Sequence, residues 1–393
     1  MQKVQIQNII NKRYSLQNLS DEEFEILLPN LALEIEYNGI LYENYTDLEI
    51  EKDWKSLCKK PFDKTKTNIS ATCIGGMKII RKHMKHFYDV TNYKGISIRS
   101  LWKKEYLEKA LRFNRKYHST PYSSEIIRSL SFTNGLGKIT MYRPLMARNI
   151  AHYFNAKSVL DVCVGWGGRL LGVKSLGNVS YTGIEPCVKT FNGLCKICDE
   201  LNINENTILV NNTAQVFLNE LDKNVRYDIA LTSPPYYNLE IYSDEETQSI
   251  HQPLGKVEPN QPFLKVEPNQ PLGKVEPNIQ PSNLQHIKID LVQPFIKVEV
   301  DYDLWLKQFL EPVIIGVINH VTYSCWSIKN FKTDKKYNLF DDVVRIHSEN
   351  GWEMIDITFT MANSKRPGSK TSESDKKTEE TTYIFYQSTF GKG

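Results

Sequence analysis

The chain has 393 residues, 40% hydrophobic and 24% charged, with a net charge of +3, which excludes a disordered one-sign tail and leaves room for one large domain or two ordinary ones. No apolar run of roughly 18 residues is present to form a membrane-crossing helix, and MQKVQIQNIINKRY lacks the apolar centre of a secretory signal. The odd count of 7 cysteines argues against a disulfide framework, so the expectation is an intracellular, non-secreted globular protein.

The small net charge conceals an asymmetry. Residues 1–50 carry 3 Lys+Arg against 9 Asp+Glu, residues 51–150 carry 22 against 7, and residues 151–393 carry 24 against 30. The +15 block, which holds His83, His86 and His118, has the footprint expected of a polyanion contact. Solvated amphipathic helices with their charges facing water are the plainer alternative.

In chain order, LSDEEFEILLPNLALEIEY reads as short helices, with Ser20 and Glu23 spaced as a capping box. Helical stretches follow near Met77–Tyr88 and Ile98–Tyr117, the second with an apolar stripe of Leu101, Tyr106, Leu107, Ala110, Leu111 and Phe113. Residues 1–135 are therefore a mainly helical, basic region. From Tyr142 helices and strands alternate. Helix Pro144–Phe154 precedes strand Ser158–Cys163, helix Arg169–Leu176, strand Val179–Ile184 and helix Val188–Leu201. Strand Thr207–Val210, helix Ala214–Leu221 and strand Tyr227–Leu231 follow. Such βαβ units imply a parallel sheet with its site at the carboxyl ends of the strands.

The rhythm breaks near Ser243 and resumes at Asp301. QPLGKVEPN from Gln252 is followed by QPFLKVEPN from Gln261, QPLGKVEPN from Gln270 and a decayed QPFIKVEVD from Gln293. The paired prolines exclude helix and interior strand, so the insert at about 250–300 reads as an extended, mobile loop, with a lid over the cleft as the alternative. Beyond it come helix Tyr302–His320, strand Thr322–Ile328, helix Phe340–Glu349 and strands Trp352–Thr360 and Thr382–Ser388. The last two are expected to pair as an antiparallel hairpin around the polar stretch Asn363–Thr381.

Two constellations carry chemistry. In VLDVCVGWGGRLLG a strand ends at Asp161, turns through Gly165, Gly167 and Gly168, and opens a helix at Arg169. Glycines there admit a ligand close to the backbone, and the helix start offers N–H donors. The next strand ends in Gly183-Ile184-Glu185, where an acid can accept from both hydroxyls of a ribose. The alternative is an ordinary tight βα turn with a capping acid. The second constellation, Ser233-Pro234-Pro235-Tyr236, ends a buried strand. Two prolines fix the backbone and leave carbonyls without competing N–H groups. A side-chain oxygen and a rigid carbonyl can accept both hydrogens of a conjugated NH₂, freeing its lone pair for an electrophilic methyl, while Tyr236 stacks on the base. Asn238, Glu240 and Tyr242 follow, to shape the base pocket or to begin a helix.

These motifs, in this order, resemble those of S-adenosylmethionine-dependent DNA amino-methyltransferases, most closely the DNA methylases of phages and large DNA viruses. The likeness runs through KITMYRP (Lys138–Pro144), GWGGRLLG (Gly165–Gly172), GIEP (Gly183–Pro186) and TSPPYYNLEIYS (Thr232–Ser243). It implies a class I, Rossmann-like α/β fold at 136–393: a seven-stranded, mostly parallel sheet with an antiparallel last strand. It also implies S-adenosyl-L-methionine as cofactor, bound by Asp161, Gly165, Trp166, Gly167, Glu185 and, by a looser match, Tyr142. Ser233, Pro234, Pro235 and Tyr236 match the catalytic motif. Family members with Asp at the Ser233 position more often methylate adenine and those with Ser cytosine, so cytosine-N4 modestly leads adenine-N6.

The implied partner is double-stranded DNA with the target base flipped out; a cognate nuclease is a further possible partner, and no membrane is involved. No clear target-recognition domain of the family's usual size stands out in this sequence, and the basic block 51–150 is the best substitute. No metal is expected: Cys195 and Cys198 share a helix without a second pair at ligand spacing and read as core. Cys163 lacks the preceding proline expected of a cysteine that attacks cytosine C5. Methylation of RNA or of a protein glutamine, or an inactive DNA-binding protein of this fold whose insert blocks the cleft, are the alternatives.

Overall fold

The computed structural model describes residues 6–10, 14–40, 44–62, 67–70, 73–117, 121–136, 140–241, 301–362 and 381–387. The repeats, most of the polar stretch before Thr381, His118, Lys138 and Tyr242 lie outside the described residues.

In chain order the strands are β1 (Asn68–Ser70), β2 (Thr91–Asn92), β3 (Ser158–Asp161), β4 (Ser180–Ile184), β5 (Thr207–Val210), β6 (Tyr227–Thr232), β7 (Glu240–Ile241), β8 (Val321–Ile328), β9 (Phe331–Lys332), β10 (Lys336–Tyr337), β11 (Trp352–Met354), β12 (Phe359–Ala362) and β13 (Thr381–Gln387). One sheet runs β1-β12-β13-β8-β6-β3-β4-β5, with β11 also paired to β13. Neighbours from β8 to β5 are parallel, and β13 runs antiparallel to both β8 and β12. The chain winds outward from β3 through β4 to β5, then restarts on the other side with β6 and β8. This is a doubly wound, Rossmann-like arrangement, and its switch point falls between β3 and β6.

Alternation along the central strands feeds two cores. Val159, Ile229 and Leu231 face one, shared with helices Pro144–Tyr153 and Val188–Leu201 and with the N-terminal helices. Leu160, Ala230 and Trp326 face the other, against helices Glu311–Ile318 and Leu339–Glu349.

Several expectations change in detail. Two strands join beyond the seven expected. Asn68–Ser70, from the N-terminal region, pairs in parallel with β12, and the single strand expected over Trp352–Thr360 is two, β11 and β12. The acidic N-terminal stretch is one helix, Asp21–Asn38, that absorbs Pro29, rather than several short ones; its capping box is present. Tyr302–Ile318 contains a π turn over Leu306–Leu310. Glu240 lies in strand β7, paired with β2, rather than in a helix.

Inside the second core, His347 is fully buried and stacked 3.8 Å from Phe385. Its Nε2 meets Ser324 Oγ at 3.0 Å, its Nδ1 meets the Val343 carbonyl at 2.8 Å, and Trp326 Nε1 donates to Ser324 Oγ at 2.7 Å. Burial pushes the imidazole down to about 4. The unfolded chain therefore binds a proton near pH 6.5 that the native state refuses, and stability falls as pH drops from about 6.5 to about 4. The expected loss across that window is roughly 3 kcal/mol. His347→Phe should remove this component from the pH dependence of urea unfolding; an unchanged slope would contradict it.

Candidate active site

The carboxyl ends of β4, β3 and β6 lie side by side, with Asp161 opposite Gly183 and Leu160 opposite Ala230. At their centre Asp161 is completely buried. Its Oδ2 accepts from Arg169 Nε at 2.7 Å and from the Tyr181 hydroxyl at 2.7 Å, and its Oδ1 accepts from the Cys163 N–H at 3.3 Å. Arg169, in the first turn of helix Gly168–Lys174, also donates to the carbonyls of Cys163 and Val164, and its guanidinium lies 5.1 Å from the Tyr142 ring centre. Burial works against the charged guanidinium, but the Asp161 carboxylate outweighs it and holds Arg169 above its ordinary value. One ion pair thus ties the loop to the strand that begins it and to the helix that ends it.

The glycines divide between two tasks. Gly165 has φ +58° with nothing within 4 Å of where a Cβ would sit, so its side of the loop is open. Gly167 has φ +88°, which an L side chain seldom adopts. Gly168 and Gly172 instead admit protein: a Cβ would lie 2.2 Å from the Tyr142 carbonyl oxygen and 2.1 Å from that of Pro144. Those two serve close packing of the Tyr142–Pro144 segment, a role the motif alone does not reveal.

Glu185 stands across the loop. Its Oε2 accepts from the Gly165 N–H at 2.9 Å and its Oε1 from the Cys187 N–H at 3.0 Å. Burial, opposed by these two donors, pushes the carboxyl up to about 7. Tyr142 reaches the far side, its hydroxyl accepting from Ser327 Oγ at 3.3 Å. Trp166 packs on the N-terminal region, with its ring centre 5.1 Å from His86 and 5.3 Å from Phe87. The Cys163 thiol, pushed up to about 12 mainly by burial, meets the side chain of Thr232. Asp161 and Tyr142 therefore meet through Arg169, and Gly165 meets Glu185, on one loop that ends with Gly167 at the helix start and has Trp166 against the N-terminal region. Cys195 is half-buried and Cys198 buried, both packed in the first core.

Ser233 to Tyr236 follow directly from β6. Tyr236 is 8% exposed, with its ring centre 5.7 Å from Phe331 and the Lys329 ammonium 5.5 Å from the ring. Tyr237 takes φ +45°, a strained value for an aromatic residue, and its ring contacts Tyr302, Trp305 and Tyr337. Asn238 accepts from Thr333 Oγ1 at 3.2 Å.

Two features go beyond the motif reading. Asn211 and Asn212 extend from the end of β5. Asn211 donates to the carbonyls of Glu185 at 2.8 Å and Pro186 at 3.1 Å, and Asn212 is buried. The polar pair directly after an apolar strand is the signal for them. The aromatic layer behind Tyr237 is foreshadowed by Tyr302, Trp305 and Phe309, spaced for one helical face.

No protein-family model matches the chain, and no curated protein matches it. Solved structures do. A proposed RNA methyltransferase from Pyrococcus horikoshii is 12% identical over 62% of this chain and 83% of its own, with a TM-score of 0.33. The N-terminal domain of human METTL16, in complex with SAH, is 10% identical over 64% and 73%, with a TM-score of 0.33. A SAM dependent methyltransferase from Agrobacterium tumefaciens is 9% identical over 62% and 60%, again at 0.33. Similarity this remote carries no information about substrate.

The buried pair makes a direct prediction. Asp161→Ala leaves Arg169 buried with its counter-charge removed, at an expected cost of about 3–5 kcal/mol in denaturant unfolding. Replacing both partners, Asp161→Leu with Arg169→Met, should recover part of that loss; equal stability of wild type and Asp161→Ala would refute this account of the loop.

Proposed function

We propose that the chain is an S-adenosylmethionine-dependent methyltransferase that modifies the exocyclic amino group of a nucleic-acid base, with DNA the leading substrate and cytosine-N4 modestly ahead of adenine-N6. The observation that carries this reading is the position of Ser233-Pro234-Pro235-Tyr236 at the switch point, on the strand adjoining the open Gly165 turn and the buried Glu185. A βα turn that only reversed the chain would not require an open left-handed glycine facing a buried acid.

Gly165 and Glu185 suit the cofactor by their chemistry. The glycine leaves backbone room for the methionine portion, and the carboxylate retains lone pairs for two ribose hydroxyls. When bound, S-adenosylmethionine supplies a methyl group on a positively charged sulfur. The chain's own part is to hold the amine. The Ser233 hydroxyl and a carbonyl of the rigid Pro234-Pro235 pair accept its two hydrogens and turn its lone pair toward the methyl. Tyr236 stacks on the base, its ring backed by Phe331. The bound cofactor would supply that methyl and be left as a neutral thioether, while Ser233 and the Pro234-Pro235 carbonyl would hold the amine as it gave up one proton to solvent.

Incubation with unmethylated DNA and S-adenosylmethionine, followed by nucleoside mass spectrometry, should yield an N-methylated base. Lost stacking of roughly 1–3 kcal/mol in Tyr236→Ala lowers the rate about 5- to 150-fold while cofactor binding persists. Label in RNA or protein but not in DNA would reject the DNA assignment, and absence of saturable cofactor binding would reject the enzyme. The raised Glu185 carboxyl adds a pH signature. Its acceptor form dominates only above about 7, so cofactor affinity by calorimetry should fall as pH is lowered through that value. Glu185→Gln should bind more weakly and flatten the profile.

A further inference from the structure

Several charges of the basic block are spent inside the fold, though those of Lys52, Lys59 and Lys60 make no ion pair with another described residue. Lys82 pairs with Asp47 at 3.1 Å and Glu200 at 2.8 Å, Arg99 with Asp89 at 2.6 Å, Arg112 with Glu25 at 2.9 Å and Arg115 with Asp21 at 2.7 Å. A different group of cations is not. Lys329, Lys332, Lys335 and Lys336 fall within eight residues of sequence, and none of them makes an ion pair with another described residue.

Their placement follows from a small hairpin. Strands β9 and β10 pair antiparallel, with Tyr337 opposite Phe331 and Lys336 opposite Lys332. The aromatic pair is buried and stacked at 4.9 Å, with Phe331 against Tyr236 and Tyr337 against Tyr237 and Tyr302. Alternation then directs Lys332 and Lys336 outward, where both are exposed. The tip carries Lys335, also exposed, with its ammonium 5.4 Å from the Tyr337 ring centre. Asp334, the one acid in the turn, is committed locally: its Oδ1 accepts from Thr333 Oγ1 at 2.7 Å and the Tyr337 hydroxyl at 3.1 Å. These contacts, with the Lys335 backbone N–H, hold its carboxyl down at about 2.

Like charges directly opposite each other weaken a two-stranded ladder, and nothing in the packing of Phe331 or Tyr337 requires lysine on the outer face. The cost is offset when an anion lies across the pair. The hairpin shares its aromatic contact with Tyr236, and Lys329 stands over that same ring, so an anion across the pair would lie beside Ser233–Tyr236. A row of cations suits a chain of phosphates better than a single one.

We infer that the Lys329–Tyr337 hairpin grips the phosphodiester strand carrying the base that Tyr236 receives. The inference rests on the proposed activity and adds to it a backbone contact outside the basic block. The test compares Lys332→Gln/Lys335→Gln/Lys336→Gln with Lys52→Gln/Lys59→Gln/Lys60→Gln, which removes equal charge from the basic block. Binding of fluorescent duplex DNA, and of RNA of the same sequence, is followed by anisotropy between about 50 and 200 mM salt.

The hairpin variant should show a slope of log K against log salt shallower by about 2–3 and at least ~10-fold weaker binding at the lower salt. Its KM for nucleic acid should rise by a larger factor than its kcat falls. The Lys→Arg triple at the same positions should restore both quantities, and the basic-block variant should change the slope by less than about 1. A wild-type slope in the hairpin variant, or no nucleic-acid binding by the wild type, overturns the inference. Cofactor calorimetry separates the two claims. Intact cofactor binding and turnover with an unaltered salt slope defeats the hairpin and spares the enzyme, whereas no cofactor binding defeats the enzyme and leaves the slope to decide the hairpin. The DNA and RNA arms identify which strand supplies the phosphates.

Discussion

The site depends on one buried charge. Asp161 cannot be solvated where it lies, at the end of the strand beside the switch point, and a bare carboxylate there would cost several kcal/mol. It is tolerated because Arg169, Tyr181 and the Cys163 N–H converge on it. Satisfying that charge fixes the turn. Arg169 must point back from the first helical turn, which draws the carbonyls of Cys163 and Val164 toward it and presents the Gly165 N–H to Glu185. The open space beside Gly165 follows from electrostatic satisfaction beneath it.

The Ser233–Tyr236 motif is held by a different force. Tyr236 and Tyr237 rest on an aromatic layer built from Tyr302, Trp305, Phe331 and Tyr337, and that layer stabilises the positive φ at Tyr237. The layer lies beyond residues 242–300 in the chain and the two tyrosines that rest on it lie before them, and Tyr237 and Tyr302 have ring centres only 5.6 Å apart. Because the chain leaves and re-enters at one packed contact, an intervening segment of almost any length adds little closure entropy. An expanding repeat is thermodynamically tolerable there without disturbing the sheet.

The parallel strands and the two glycine- and proline-rich turns were legible because each is a local signal: a short apolar run, then residues with special backbone freedom or rigidity. What escaped was set by distant partners. Asn68–Ser70 has no strand signature of its own, and it pairs because β12 offers an open edge. Trp352–Thr360 reads as one strand, yet β11 and β12 both meet β13, which requires a break between them. Pro29 predicts an interruption, but the apolar face of Asp21–Asn38, with Phe24, Leu28, Leu31 and Ile35 buried, outweighs one lost backbone hydrogen bond. The packing role of Gly168 and Gly172 was equally invisible, since only the fold brings the Tyr142 and Pro144 carbonyls to them.

Charge shows most clearly why a tally is a poor guide to a binding surface. Part of the surplus of residues 51–150 is met by the acidic segment before it, Arg112 and Arg115 by Glu25 and Asp21, and by Glu200 beyond it. That part of the asymmetry between consecutive stretches is complementarity within one fold. A field useful to a ligand arises where cations lack partners and are held in place, and a lysine on a mobile loop satisfies only the first condition. The β9–β10 hairpin satisfies both: its aromatic face is anchored in the layer behind Tyr236 and its one acid is spent on the turn. The backbone that carries the outer lysines is therefore held in place beside Ser233–Tyr236, and under the proposed function a strand gripped there by its phosphates would present a particular base to that motif.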